Sequence, residues 1–395
     1  MNIALITCHQ YPVGTAMTNR IRSYLEVLAK MGHQVRVMIY RPSEAQGDIQ
    51  NERQGILNGV NYSSTAFSIV KPKNPILARL TWIYGYINCL MKLINANRKQ
   101  HIDVIIQASS KSSLIPLVYL FTRLTKIKFV LENSEYPWFL LKKRLSNIWY
   151  RPLYLYVYYR LFDGVLVMTV SLSRYHRRYS KKSALIFHLP MTVDLNRFIL
   201  NIPRDNYITY IGNKSYYKDG VGILLEAFIA IAGNNPDWKL MIIGDTSKDE
   251  EIVRRVQAEG LEHRIILKGT IHRDKVPELL CRSKILALAR PDNLQSEGGF
   301  PTKLGEYLAT GNLAVVTRVG EIPHYLEDGV SCLMAEPDSV ESFAKSLSYA
   351  IVSYDQLYEV RKQGWEVCQS VFNSEIQGKR LDEFFKELLS FDQFD

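Results

Sequence analysis

Short apolar runs alternate with longer stretches in which apolar positions return every three or four residues, and the alternation persists along the whole chain. The short runs fit strands buried on both faces, and the longer spacing fits amphipathic helices. NIALIT (2–7) predicts the first strand. The loop CHQYPVGTAMT follows, then the helix NRIRSYLEVLAKMG, ended by Gly32 at the C′ position, and the strand HQVRVMIY. Residues 41–64 are polar and read as a loop or hairpin. IDVIIQAS (102–109), KFVLEN (128–133) and DGVLVMT (163–169) predict further strands, and ALIFHLPMTVDLNRF (184–198) a strand running into a linker.

The series then starts afresh. YITYIG (207–212), KLMIIGD (239–245), IILKGT (265–270), KILALARP (284–291), LAVVT (313–317) and CLMAEP (332–337) read as strands, with VGILLEAFIAIAGN and residues 340–353 as helices. Such alternation predicts parallel sheets covered on both faces. The fold class expected is α/β, with two Rossmann-like doubly wound domains in series facing a central cleft. The first spans 1–195 and the second 196–371, with a C-terminal helix at about 372–395 packing back on the first. In open α/β sheets ligands bind beyond the carboxyl ends of the strands, so the loops that follow strands carry the chemistry.

Composition narrows the picture. The 395 residues suit two domains, and 47% hydrophobic with 22% charged residues is ordinary globular usage. No uninterrupted apolar segment reaches the roughly 18 residues of a spanning helix. Ser113 to Phe121 and Gly164 to Val170 come nearest, and MNIALIT lacks the basic start of a signal peptide. The five scattered cysteines, Cys8, Cys89, Cys281, Cys332 and Cys368, argue against a disulfide framework and for a cytoplasmic setting. Residues 1–190 carry 26 Lys and Arg against 8 Asp and Glu, a balance of +18; the remainder carries 23 against 31, a balance of −8. The basic half points to phosphate-bearing partners.

SEGGFPTKLGEYLATGN (296–312) is the strongest motif. Gly298 and Gly299 let backbone amides approach a ligand, Pro301 suits the first helical position, and a helix N-terminus favours an anion such as a diphosphate. Lys303 can add a donor. Glu306, one turn in, can accept hydrogen bonds from the two hydroxyls of a ribose or can face solvent. In YIGNKSYYKDGVGILLEAF (210–228) a loop with Lys214 and Lys218 runs from the strand end at Gly212 to a helix at Gly220, and Lys218 can meet a phosphate as a point charge or be a solvated surface lysine.

Together these motifs resemble glycosyltransferase family 4, the retaining GT-B enzymes of group 1 type. The matching features, in order, are the Gly–x5–Lys loop at 212–218, IIGD at 242–245, KGTI at 268–271, and FPTKLGEYLATGN leading to VGEIP at 319–323. PVGTAMTNRIRSYLEVLAKMGHQV (12–35) is similar to that family's opening loop and first helix, and LPMTVDLNRF (189–198) to its interdomain linker. The resemblance implies a hexosyltransferase moving a sugar from a nucleotide-diphosphate sugar. Glu306 then holds the donor ribose as the second glutamate of E-x7-E, and Lys218 stabilises the leaving diphosphate. Gly299, Phe300 and Pro301 lie along the donor sugar and phosphates, Thr302 is a further donor-binding residue, the backbone of Thr270 and Ile271 reads the base, and Gly14 lies near the diphosphate.

Three positions depart from that pattern. Gly298 stands where the first glutamate of E-x7-E belongs and Glu297 is one residue early, so either Glu297 takes the role or the role has moved. Asn213 replaces an arginine common in relatives; Lys214 or Arg290 could supply that charge. Where relatives place a histidine after the strand matching KFVLEN, this chain has Glu132 to Tyr136, and Glu135 is the candidate for a sugar or acceptor contact, or else a cap of the following helix. The reaction is expected to need no metal or other cofactor, and DTSKDEE (245–251) reads as a loop and helix start rather than a cation site.

The tracts YPWFLLKKRLSNIWYRPLYLYVYYRLF (136–162) and WIYGYINCLMKLINANRK (82–99) mix aromatic and basic residues with apolar ones. They fit helices lying in a membrane interface, or core helices with snorkelling cations. With the basic first half they suggest an anionic membrane surface and a glycolipid acceptor. No nucleic-acid module is recognisable and no nucleic-acid partner is expected. The alternatives are another GT-B enzyme, such as an epimerase or phosphorylase, and a non-catalytic phosphate-, lipid- or nucleic-acid-binding protein with a degenerate nucleotide site.

Overall fold

A computed structural model describes residues 1–45, 47, 49–108, 114–136, 153, 155–212, 219–245 and 250–391. The chain divides into one unit of Met1–Thr192 with Ser374–Asp395 and another of Val193–Asn373.

The first unit holds β1 (Asn2–Thr7), α1 (Ala16–Lys30), β2 (Gln34–Ile39), β3 (Gln54–Leu57), β4 (Val60–Ser64), α2 (Pro75–Lys99), β5 (Val104–Ala108), α3 (Ile115–Thr125), β6 (Lys128–Asn133), β7 (Gly164–Val167), α4 (Val170–Tyr179) and β8 (Leu185–His188). Its sheet runs β3-β4-β2-β1-β5-β6-β7-β8. The described pairings are parallel except β3 with β4. The polar segment 41–64 thus contains a hairpin, and its second strand continues the parallel sheet, Val35 lying opposite Val60.

The second unit holds β9 (Asp205–Ile211), α5 (Val221–Ala232), β10 (Lys239–Ile243), α6 (Glu250–Ala258), β11 (Ile265–Lys268), α7 (Val276–Arg282), β12 (Ser283–Leu288), α8 (Leu294–Gly298), α9 (Thr302–Ala309), β13 (Leu313–Thr317), α10 (Ile322–Tyr325), β14 (Leu333–Ala335), α11 (Val340–Val352) and α12 (Tyr358–Val367). The order is β11-β10-β9-β12-β13-β14, with every described pairing parallel. From β9 the chain steps outward to β11, then returns to β12 on the other side of β9. The crevice at the carboxyl ends of β9 and β12 is therefore the topological switch point of this sheet.

The chain ends in α13 (Ser374–Ser390), which belongs to the first unit. Leu381, Phe385 and Leu388 of α13 share a core with Tyr24 and Leu25 of α1 and with Ile3, Leu5 and Val104 of the sheet. The other face of that sheet carries Cys89 and Leu93 of α2 and Ile115 and Val118 of α3, packed on Ile6, Ile105 and Phe129.

Three local features differ from the sequence expectation. Helix α2 begins at Pro75, well before Trp82, because Asn74 caps it: Oδ1 accepts from the amides of Ile76 at 2.8 Å and Leu77 at 3.2 Å. Residues 294–298, to which the sequence pattern assigns no element, form the short helix α8, capped by Asn293, whose Oδ1 accepts from Gln295 N at 2.9 Å and Ser296 N at 3.0 Å. Pro301 is the cap of α9, and the helix proper starts at Thr302. Of the aromatic tract 136–162, residues 137–152 and 154 lie outside the described residues. In its final part Tyr159 and Phe162 are core residues, the Phe162 ring centroid 4.5 Å from that of Phe129.

Candidate functional site

At the switch point Gly220, just before α5, meets Ala289 after β12, and Gly320, after β13, meets Ser296 of α8, because two glycines allow it. Gly220, at φ +66°, turns its hydrogen toward the carbonyl oxygen of Ala289, just beyond β12; a Cβ there would collide with it. Gly320, at φ +53°, packs against the carbonyl oxygen of Ser296 in α8 in the same way. Both conformations are readily open only to glycine.

Side chains fasten α9 to the same place. Tyr210, near the end of β9, donates its hydroxyl to Asp219 Oδ2 at 2.8 Å. Lys303, in the first turn of α9, pairs with Asp219 and lies 3.3 Å from the Tyr210 hydroxyl. The Ile211 amide donates to the Tyr307 hydroxyl at 3.1 Å, and burial pushes the Tyr307 phenol well above its ordinary range. The Phe300 ring is buried, 5.4 Å from both Tyr325 and Phe372, which pegs the backbone of Gly299 and Pro301 in front of the helix. The amides of Thr302 and Lys303 form the positive end of α9.

Glu306 lies one turn further on. Its Oε1 accepts from Arg197 Nη1 at 3.1 Å, and Arg197 Nη2 donates to the carbonyl of Arg273 at 3.3 Å. Arg197 thus joins this carboxylate to the loop after β11, which holds Thr270 and Ile271. Thr270 donates Oγ1–H to Asp245 Oδ1 at 2.7 Å, linking that loop to the end of β10.

Of the other sequence candidates in this unit, Glu297 is exposed on α8 and Gly298 is buried at its end. Arg290 is buried and gives Nη2 to the Gln295 carbonyl at 2.9 Å. Asn213, Lys214 and Lys218 lie outside the described residues, whereas Asp219, adjacent to Lys218 in the chain, is part of the cluster around Lys303.

The first unit places its candidates at the carboxyl edge of its own sheet. Gly14 lies in the loop after β1, where Thr18 Oγ1 donates to the Gln10 carbonyl at 2.7 Å, and Glu135 is half-buried just after β6. Burial holds the His9 imidazole below its ordinary range while the Glu135 carboxylate works in the opposite direction, so the two groups sense each other. Below them, Arg20 of α1 is buried and gives Nε to Glu132 Oε1 at 2.7 Å, with Nη1 and Nη2 on the carbonyls of Pro190 (2.6 Å) and Leu189 (2.7 Å).

Sequence reasoning missed His9, Arg197, Arg20 and Asp219. The last is a carboxylate within the recognised lysine loop, and the partners of the others lie far away in the chain.

Residues 205–352 match the family model described as Glycosyl transferases group 1. The phosphatidylinositol N-acetylglucosaminyltransferase GPI3 subunit of Saccharomyces cerevisiae is 24% identical over 148 residues, 38% of this chain. The match spans only 31% of the length of that protein. Among solved structures, sucrose-phosphate synthase from Thermosynechococcus elongatus superposes with a TM-score of 0.75 at 15% identity, over 98% of this chain and 99% of that one. Anabaena Alr3699/HepE in complex with UDP-glucose gives 0.69 at 13% identity, over 98% and 100%. These likenesses show the fold: two Rossmann-like units of the GT-B kind.

Proposed function

With a Glycosyl transferases group 1 domain over residues 205–352 as the premise, we propose that the protein moves a sugar from a nucleotide-diphosphate sugar to an acceptor with retention at the anomeric carbon. The observation that carries this reading is the convergence, at one switch point, of Asp219 and Gly220, the start of α9 and the Arg197-tethered Glu306. A nucleoside diphosphate asks for those groups: amides and a cation for the phosphates, a carboxylate for the ribose diol, and a backbone turn for the base.

In the proposed step the bond from the anomeric carbon to the β-phosphate oxygen breaks, and the nucleoside diphosphate leaves with the electron pair. The acceptor hydroxyl attacks the same face, and its proton passes to the departing phosphate. Charge builds on the β-phosphate as the bond lengthens, so groups aimed there lower the barrier more than they tighten ground-state binding. We assign this role to Lys218 and the first-turn amides of α9, without a metal. Thr270 and Ile271 face the base, Gly299 to Thr302 follow the sugar and phosphates, and Glu297 and Glu135 are the carboxylates assigned to the reacting end. Gly14, Asn213, Lys214, Arg290, Gly298 and Lys303 complete the assigned surroundings.

The acceptor is read as a lipid-linked glycan of cell-surface polysaccharide or lipopolysaccharide synthesis. It would be met at the cytoplasmic face of the cell membrane, where the basic first half contacts anionic lipid. The +18 balance of residues 1–190 supports this.

A transfer assay with a panel of nucleotide sugars tests the reading. Glu306→Ala is expected to weaken donor use by about 10- to 100-fold, through loss of a carboxylate shared by two hydroxyls, with the fold unchanged by circular dichroism. An unaltered kcat/KM in that variant would remove Glu306 from the donor site.

A further inference from the structure

The outer surface of the first unit carries an apolar stripe that the fold does not use. On α2, Ile76, Leu80, Ile83, Ile87 and Met91 recur at helical spacing and are exposed, Ile76 by 71% and Ile87 by 59%. On α3, Leu117, Leu120 and Leu124 do the same, Leu124 by 77%. Both helices press their buried sides on the same face of the sheet, in one core with Ile6, Ile105 and Phe129. Their outer sides therefore look away from that sheet in the same direction. A soluble monomer rarely exposes a contiguous apolar patch of this kind without a partner.

The charges around the stripe identify the partner. From Arg53 to Leu131 the chain has 11 Lys and Arg and a single acid, Asp103. That acid is turned inward, its Oδ2 accepting from the Asn2 amide at 2.7 Å. Exposed cations flank the stripe at both ends of α2, Lys71 and Lys73 before it and Arg98 and Lys99 at its close. Trp82 lies beside the stripe with the Arg41 guanidinium 4.6 Å above its ring. Tyr84 meets the exposed Phe67 edge-on at 5.9 Å. An apolar band with Trp and Tyr at its margin and cations at its ends fits an anionic headgroup layer over acyl chains. A second copy of the same face would set cation against cation. Among the described residues no helix is long and apolar enough to cross a membrane, so contact is with the surface layer.

We propose that the outer faces of α2 and α3 seat the protein on an anionic bilayer, the stripe at the headgroup boundary and the flanking cations on lipid phosphates. The inference rests on the lipid-linked acceptor reading above, which gives the seating its purpose, and it locates that contact on named helices.

Flotation of the whole chain with vesicles tests it without any donor or acceptor. Vesicles of phosphatidylcholine containing a quarter phosphatidylglycerol are expected to carry the protein, and pure phosphatidylcholine to carry far less. Raising the salt releases it, since each cation near the surface contributes about fivefold to binding. The double variant Ile83→Asp, Ile87→Asp is expected to lose binding about tenfold or more, with thermal midpoint and nucleoside diphosphate binding unchanged. Equal flotation of that variant would overturn the proposal, as would failure of the wild type to float. A wild-type dimer in solution that the double variant dissociates would assign the face to a second copy and overturn it too. A protein that floats but transfers no sugar retires the sugar-transfer reading and leaves this inference standing; one that glycosylates a water-soluble acceptor and never floats retires this inference and the lipid-linked acceptor, and leaves sugar transfer standing.

Discussion

Replacing Lys218 with Ala lowers kcat for sugar transfer by about 100- to 1,000-fold, the loss usual when one preorganised group facing developing charge is removed. The proposed leaving group gains negative charge on its β-phosphate during bond cleavage. A fixed ammonium is worth most there, where water is excluded and the field need not reorganise. Donor affinity should fall much less than kcat, because the ground state already shares its charge with the amides of α9. Lys218→Arg should recover part of the rate, since the charge survives and the point geometry does not. Steady-state kinetics checks all of this. A Lys218→Ala enzyme with wild-type kcat would place the cation that matters elsewhere, and Lys214 or Arg290 would be the next variants to make.

Removing the carboxylate of Glu132 destabilises the first unit by about 3–5 kcal/mol, the cost of stranding a buried partner charge. Arg20 and Glu132 are both buried, 2.7 Å apart. After Glu132→Ala the guanidinium keeps only the carbonyls of Leu189 and Pro190. Glu132→Gln should fall between, retaining a hydrogen-bond acceptor without the charge. Urea denaturation reads the difference. A shift below about 1 kcal/mol would mean that the site relaxes or hydrates when the pair is broken.

Periodicity carried much of the fold because its strands are short, apolar and buried on both faces. KFVLEN and LAVVT coincide with β6 and β13 residue for residue. Where burial is one-sided the signal faded: β4 has the pattern VNYSS, and only its parallel pairing with β2 makes it a strand of the main sheet. The true start of α2 was written in Asn74 and Pro75, a cap and first-turn signal overshadowed by the aromatic stretch that begins at Trp82.

The candidate site was legible in its local half. Glycine-rich loops and helix starts are contiguous words in the sequence, and the structure brings the segments around Gly212 and Phe300 to one edge of one sheet. The pairings across it were not legible. Arg197 and Glu306 are separated by 109 positions, Arg20 and Glu132 by 112, and Lys303 and Asp219 by 84. Nothing in either partner's neighbourhood announces the other, because an ion pair is specified by the fold rather than by the residues beside it.

We propose that the carboxyl edge of the second unit, at β9 and β12, cradles a nucleoside diphosphate. Thermal unfolding of the whole chain with UDP, GDP, ADP and CDP, each alone and without metal, addresses it directly. One diphosphate at about 100 times its Kd should add about 2.7 kcal/mol of stability to the second unit. That is a rise of several degrees in its midpoint, and the Glu306→Ala protein should show less of it. If none of the four diphosphates raises the midpoint of the wild-type protein, the cradle does not exist and the sugar-transfer reading falls with it.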